Sequence, residues 1–98
     1  MNITKTTEGS TLTLALEGRL DTVTSPQLET ELRTGVNGIT ELIFDLKDLA
    51  YVSSAGLRVL LAAQKVMSRQ GKMTIRNVSP EIMDIFDVTG FVDILNIE

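Results

Sequence analysis

The chain contains no cysteine and no histidine. The first absence excludes disulfides and thiolate metal sites, and it fits a reducing compartment. The second removes the commonest general base and metal ligand together. Tryptophan is missing as well, and with one tyrosine and three phenylalanines the core must be mostly aliphatic. Basic residues are scattered rather than clustered, and the formal charge is -4. A phosphate-backbone footprint usually needs a basic face, so no direct nucleic-acid partner is expected. No apolar run approaches the ~18 residues of a membrane span, so membrane insertion is not expected. The opening "MNITKTTEGS" lacks the apolar segment of a signal peptide. A cytoplasmic protein is the expectation. Acidic residues show no metal-ligand spacing, and there is neither a G-x-S-x-G elbow nor a Gly-rich lysine loop. No metal, nucleotide or other cofactor is predicted, and the chain is not expected to be an enzyme.

What remains is enough for one compact domain over residues 1–98, since 43% apolar content supports a single core in a chain of 98 residues. Residues 3–8 form a short strand, and Glu8-Gly9-Ser10 a turn. In "TLTLALEG" Leu12, Leu14 and Leu16 alternate with Thr11, Thr13 and Glu17, the clearest period of two in the chain. The two strands pair as an antiparallel hairpin. Ser25-Pro26 then reads as a helix cap followed by proline in the first helical position. Leu28 and Leu32 give that helix its apolar stripe, and Gly35 or Gly38 ends it.

"ELIFDL" is an apolar run of strand length, as a covered central strand requires. After "KDLAYV" a long helix runs from about Ala55 to Arg69 and stops at Gly71. "KMTIRNV" is a further strand with Met73 and Ile75 on one side. Ser79-Pro80 repeats the cap-proline signature and opens a helix with Ile82, Ile85 and Phe86 at helical spacing. "VTG" closes it, and "DILNIE" adds a last strand. The order β-β-α-β-α-β-α-β implies an α/β domain with a mixed sheet. After the hairpin, parallel strands follow through right-handed crossovers, and the helices lie mainly on one face.

"YVSSAGLRVLL", Tyr51 to Leu61, places two serines where a helix start needs one hydroxyl. On a helical wheel Val59, Leu60, Ala63, Val66 and Met67 share an arc that should face the sheet. Arg58, Lys65 and Arg69 share a polar arc. Leu57 and Leu61 fit neither, so they form an apolar patch for a partner or pack under a neighbouring loop or helix. A helix start accepts an anion readily, because its first turn has free N–H groups and partial positive charge. A phosphate on Ser54 would therefore be tolerated, and would set negative charge beside Leu57 and Leu61. Small Ala55 and Gly56 leave room for a kinase.

"DLKDLAYVSSAGLRVLL" resembles the signature of anti-anti-sigma factors, bacterial members of the STAS domain family. Their pattern is D-L-x-x-(L/V)-x-(Y/F)-(M/V/I)-D-S-(S/T)-G-L. "EGRLD" at Glu17–Asp21 is similar to the family's x-G-E-(L/I)-D, and "NVSPEIMDIFDVTGFVDILNI" to its C-terminal pattern. The resemblance covers nearly the whole chain and implies the STAS fold. It implies that Ser54 is the phosphorylated serine, with Ala55 where the family has a second hydroxyl. It places Asp21 near that serine on a partner-binding surface, beside a plain reading as a turn residue. Together with the helix start, the surface would comprise Asp21, Ser53, Ala55, Gly56, Leu57, Arg58 and Leu61. Two positions depart from the pattern: Ser53 replaces the aspartate before the acceptor, and Arg19 replaces the glutamate of G-E-(L/I)-D.

The function implied is that of an anti-sigma factor antagonist. It would bind an anti-sigma factor serine kinase, be released on phosphorylation, and be reset by a PP2C-type phosphatase. The alternative is a non-switching STAS accessory subunit of a lipid-transporting ABC complex or a stress-signalling assembly. The two differ at Ser54, since only the switch needs its hydroxyl.

Overall fold

The structure, a computed structural model, describes residues 1–98. Strands β1 (Asn2–Glu8) and β2 (Thr11–Leu20) form the antiparallel hairpin, with Glu8 opposite Thr11. Helix α1 (Ser25–Gly35) leads to β3 (Glu41–Val52), and α2 (Ser54–Gln70) to β4 (Lys72–Arg76). Helix α3 (Pro80–Thr89) and a short 3-10 turn at Phe91–Asp93 follow. The sheet order is β1-β2-β3-β4, with β2, β3 and β4 parallel. The α/β architecture expected from the sequence is the one observed.

All three helices feed one core. Leu12, Leu14 and Leu16 of β2 pack with Leu28 and Leu32 of α1, Leu60 and Met67 of α2, and Ile82 and Phe86 of α3. The opposite face of β1 and β2 presents Thr4, Thr6, Thr13 and Glu17 and carries no helix. The polar phase of the alternation therefore marks the uncovered face.

Strand β3 is longer than "ELIFDL" and runs through "KDLAYV". Two bulges explain why a period of two does not reveal it. Between the pairs Ala15–Asp45 and Glu17–Asp48, β3 sets two residues against one, and between Gly18–Leu49 and Arg19–Tyr51 it inserts Ala50. Each extra residue shifts the side-chain phase by one. Beyond the continuous buried run Leu42–Phe44, the buried residues of β3 are Leu46, Leu49 and Val52, spaced three apart rather than two. Asp45 supports the first bulge, its Oδ1 accepting from the Lys47 N–H at 3.1 Å and from Asn77 Nδ2 at 3.0 Å.

Three expectations are corrected. Ser25 is not a cap: it is the first residue of α1, 5% exposed, with a hydroxyl that has no partner. The Asp21–Thr24 turn already starts the helical path, since the Ser25 N–H bonds the Asp21 carbonyl at 2.8 Å. "DILNIE" is not a full strand. It makes one parallel bridge, Ile97 to Ile75, because the 3-10 turn takes up Phe91–Asp93. Third, the buried arc of α2 is rotated: Leu57 is inside and Val66 is 42% exposed. The N-terminal turn of α2 is pressed onto the end of β2 at Gly56 and Leu20, which turns Leu57 into the core, while Val66 stands at the open rim of the groove between α1 and α2.

Candidate functional site

The candidate site lies at the carboxyl ends of the parallel strands β2 and β3, where open α/β sheets commonly place binding residues. Leu20 and Val52 are paired neighbours, so Asp21 and Ser53 leave the sheet side by side. The Ser53 N–H donates to the Leu20 carbonyl at 2.8 Å, which joins the two exits into one unit.

Ser53 is the N-cap of α2. Its backbone is extended, and its Oγ accepts from the Gly56 N–H at 3.4 Å, the long end of a capping bond. Its carbonyl accepts the Leu57 N–H at 2.9 Å. Ser54 is the first helical residue, exposed, with no hydrogen bond from its hydroxyl. Two serines thus divide the work: one closes the helix end and the other points to solvent. Ala55 and Leu61 are half-buried and Arg58 is exposed. The cation of Arg58 lies one turn beyond Ser54 and has no ion-pair partner.

Gly56 and Leu57 belong under the surface rather than on it. Leu57 is 6% exposed and part of the core. A Cβ on Gly56 would stand 2.7 Å from the Leu20 Cγ and 2.9 Å from its carbonyl oxygen. The closeness of β2 requires glycine here, whereas room for a kinase does not. The expected contact surface is therefore corrected to Asp21, Ser53, Ala55, Arg58 and Leu61, with Gly56 and Leu57 shaping it from below.

Asp21 has a structural task. Its Oδ1 accepts from the N–H groups of Val23 at 3.0 Å and Thr24 at 3.1 Å. In return the Asp21 N–H donates to Thr24 Oγ1 at 2.9 Å, a reciprocal pair in the manner of a capping box. The Thr24 hydroxyl lies 2.7 Å from the Arg19 carbonyl and 3.2 Å from Asp21 Oδ1, so its one proton serves either acceptor. These donors hold the Asp21 carboxyl below its ordinary value, the Thr24 N–H first. Partial desolvation opposes them, and the Thr24 hydroxyl, the Val23 N–H and the Arg19 charge add to them.

Sequence reasoning missed two features here. Arg19 sits with its guanidinium carbon 4.5 Å from the centre of the Tyr51 ring and its Nε 3.7 Å from Asp21 Oδ2. The pairing of Arg19 with Tyr51 across the bulged strands creates this contact, and only register could have shown it. Thr24, which orients the Asp21 carboxylate, was hidden by the apparent cap at Ser25. Its signal was present: Asp and Thr three residues apart.

The pattern of the STAS domain matches residues 2–98, and the chain belongs to this family. Among curated relatives, BtrV of Bordetella bronchiseptica, whose name assigns it as an anti-sigma factor antagonist, is 36% identical over 85 residues, covering 85% of this chain and 73% of BtrV. The anti-sigma-B factor antagonist of Bacillus subtilis is 31% identical over 83 residues, covering 84% of this chain and 76% of that one. An anti-sigma factor antagonist from Mycobacterium paratuberculosis has a similar solved structure, with TM-score 0.88, 20% identity and coverage of 98% and 83%. Unphosphorylated SpoIIAA, also an anti-sigma factor antagonist, has TM-score 0.77, 18% identity and coverage of 99% and 87%. At these identities the structural likeness establishes the fold, and the sequence relatives establish the family. No helix of the chain is long and apolar enough to cross a membrane.

Proposed function

We propose that this chain is an anti-sigma factor antagonist whose partner-binding surface is switched by phosphorylation of Ser54. The observation behind the reading is the division between Ser53 and Ser54. A hydroxyl that caps a helix is engaged and partly covered; the neighbouring one is exposed and unengaged, as an acceptor must be. The relatives' names support the class.

The unphosphorylated surface presents Asp21, Ser53, Ser54, Ala55, Arg58 and Leu61 to an anti-sigma factor serine kinase, freeing a sigma factor. A phosphate on Ser54 sits on the α2 N-terminus, where N–H groups and the helix dipole favour it, so the fold survives modification. Arg58 at i+4 offers a charge-assisted partner. The surface changes while the domain stays folded: nearly two negative charges appear beside the Asp21 carboxylate and half-buried Leu61. A kinase surface complementary to the neutral hydroxyl is repelled. A PP2C-type phosphatase restores the binding form. The reaction belongs to the kinase and phosphatase; this chain supplies the acceptor hydroxyl. The setting is cytoplasmic.

The test is intact-mass and phosphopeptide analysis of the protein from its own cells, in growth and under stress. Ser54 phosphate whose occupancy changes with condition is expected. Absence of phosphate in every condition, with constant membrane association, would replace the switch with the accessory-subunit reading.

A further inference from the structure

Opposite charges are segregated onto two helices. Helix α2 holds Arg58, Lys65 and Arg69 and no acidic residue. Helix α3 holds Glu81, Asp84 and Asp87 and no basic one. All six are exposed. The ion pairs of the chain are Lys5–Glu31, Arg19–Asp21, Arg33–Glu29 and Arg76–Glu98, and none uses any of the six. Lys65 and Arg69 stand at i,i+4, and Asp84 and Asp87 at i,i+3, like-charge spacings that weaken an isolated helix. Asp87 also sits in the last turn of α3, where the dipole disfavours an anion. A chain with 13 acidic residues leaves three cations of one helix without partners.

Each charged ridge has an apolar companion. Beside the α2 cations, Ala62 and the exposed Val66 lead into a groove of ≈ 380 Å³ between α1 and α2, floored by Leu32, Val36 and Val59, with the mutually paired Glu29 and Arg33 on its α1 side. On α3, Val88 projects next to Asp84 and Asp87 and is 87% exposed.

We infer that the α2 ridge and the α1–α2 groove form a docking surface for α3 of a second copy of this chain. Val88 of the incoming helix enters the groove beside Val66, while Asp84 and Asp87 meet Lys65 and Arg69. The charge complementarity selects this occupant: Asp84, Asp87 and the protruding Val88 face Lys65, Arg69 and the groove beside Val66. The net charge of -4 opposes approach at long range. At contact the local pairs lie well inside the ~8 Å Debye length of physiological salt and outweigh it. Lys65 and Arg69, which make the pairs, lie about three and four turns beyond Ser54, and only Arg58 at the edge of the ridge is shared with the switch surface.

The experiment is sedimentation velocity of the full chain from ~10 µM to ~1 mM, in ~20 mM and ~500 mM salt. Wild type should associate reversibly at low salt and weaken at high salt. K65E/R69E and D84K/D87K, checked by circular dichroism for an intact fold, should each associate on the order of tenfold more weakly or worse. Their equimolar mixture should recover association, because each supplies the surface the other needs. A wild type monomeric throughout overturns the inference, and would leave the ridge to some other acidic protein. Association that survives either charge reversal, or a mixture that fails to recover, also overturns it.

Discussion

Gly56 rests on Leu20 with no room for a methyl group between them: a Cβ would come within 2.7 Å of the leucine Cγ and 2.9 Å of its carbonyl oxygen. The same carbonyl accepts the Ser53 N–H at 2.8 Å. One residue at the end of β2 therefore sets both where α2 begins and how closely its first turn approaches the sheet. The exposed position of Ser54 follows from that anchorage.

Gly56→Ala should lose about 1–3 kcal/mol, the usual penalty of overpacking against atoms that cannot yield. The carbonyl is backbone and held by Ser53, so relaxation must move the helix. Urea denaturation checks this, and an unchanged midpoint would show that α2 can shift freely.

The two serines should respond differently to alanine. Ser53→Ala removes the cap and costs about 0.5 kcal/mol, the low end of the cap range, because its bond is 3.4 Å long. Ser54→Ala should stay within about 0.5 kcal/mol of wild type, as a surface change does. Thermal melts decide; a larger loss at Ser54 would transfer the capping role to it.

Leu57 and Leu61 lie one turn apart and should behave as different classes of residue. Leu57→Ala should destabilise by about 2–5 kcal/mol, since its side chain is part of the core. Leu61→Asp should keep a cooperative transition while weakening partner binding. A collapsed transition for Leu61→Asp would place that residue in the core as well.

Asp21 should contribute to acid stability. Its folded-state carboxyl is held below the ordinary value by the Thr24 and Val23 donors. The stabilisation is thus present above the unfolded pKa, near 3.8, and is lost as pH falls through the lowered folded value. Asp21→Asn should flatten the pH dependence of the melting temperature below about pH 4. An identical slope in the variant would assign the acid sensitivity to other carboxylates.

Much of this architecture can be read along the chain. Leu12, Leu14 and Leu16 declare a half-covered strand, Ser79-Pro80 a helix start, and Gly71 and Gly90 helix ends. Most of these signals are local, set by side-chain period, a missing N–H or, at Gly90, a positive φ; at Gly71 the glycine is also required by the Thr40 carbonyl, against which a Cβ would collide. The uncovered face of β1 and β2 is likewise written in the threonines of the hairpin. The Ser54 position follows from its offset within "SSAGL", because the cap and first turn are consecutive residues.

What only the tertiary structure decided depends on residues distant in sequence. The bulges of β3 arise from its register with β2, so no periodicity within "KDLAYV" could reveal the strand. Leu57 is core because the first turn of α2 rests on the end of β2, and Val66 is exposed because it falls at the open rim of the α1–α2 groove; a helical wheel places Val66 in the sheet-facing arc and Leu57 outside it. The Arg19–Tyr51 contact exists only once those strands pair. Local sequence determines which backbone each segment prefers, whereas burial depends on what another segment brings against it. That second quantity is a property of the packed chain.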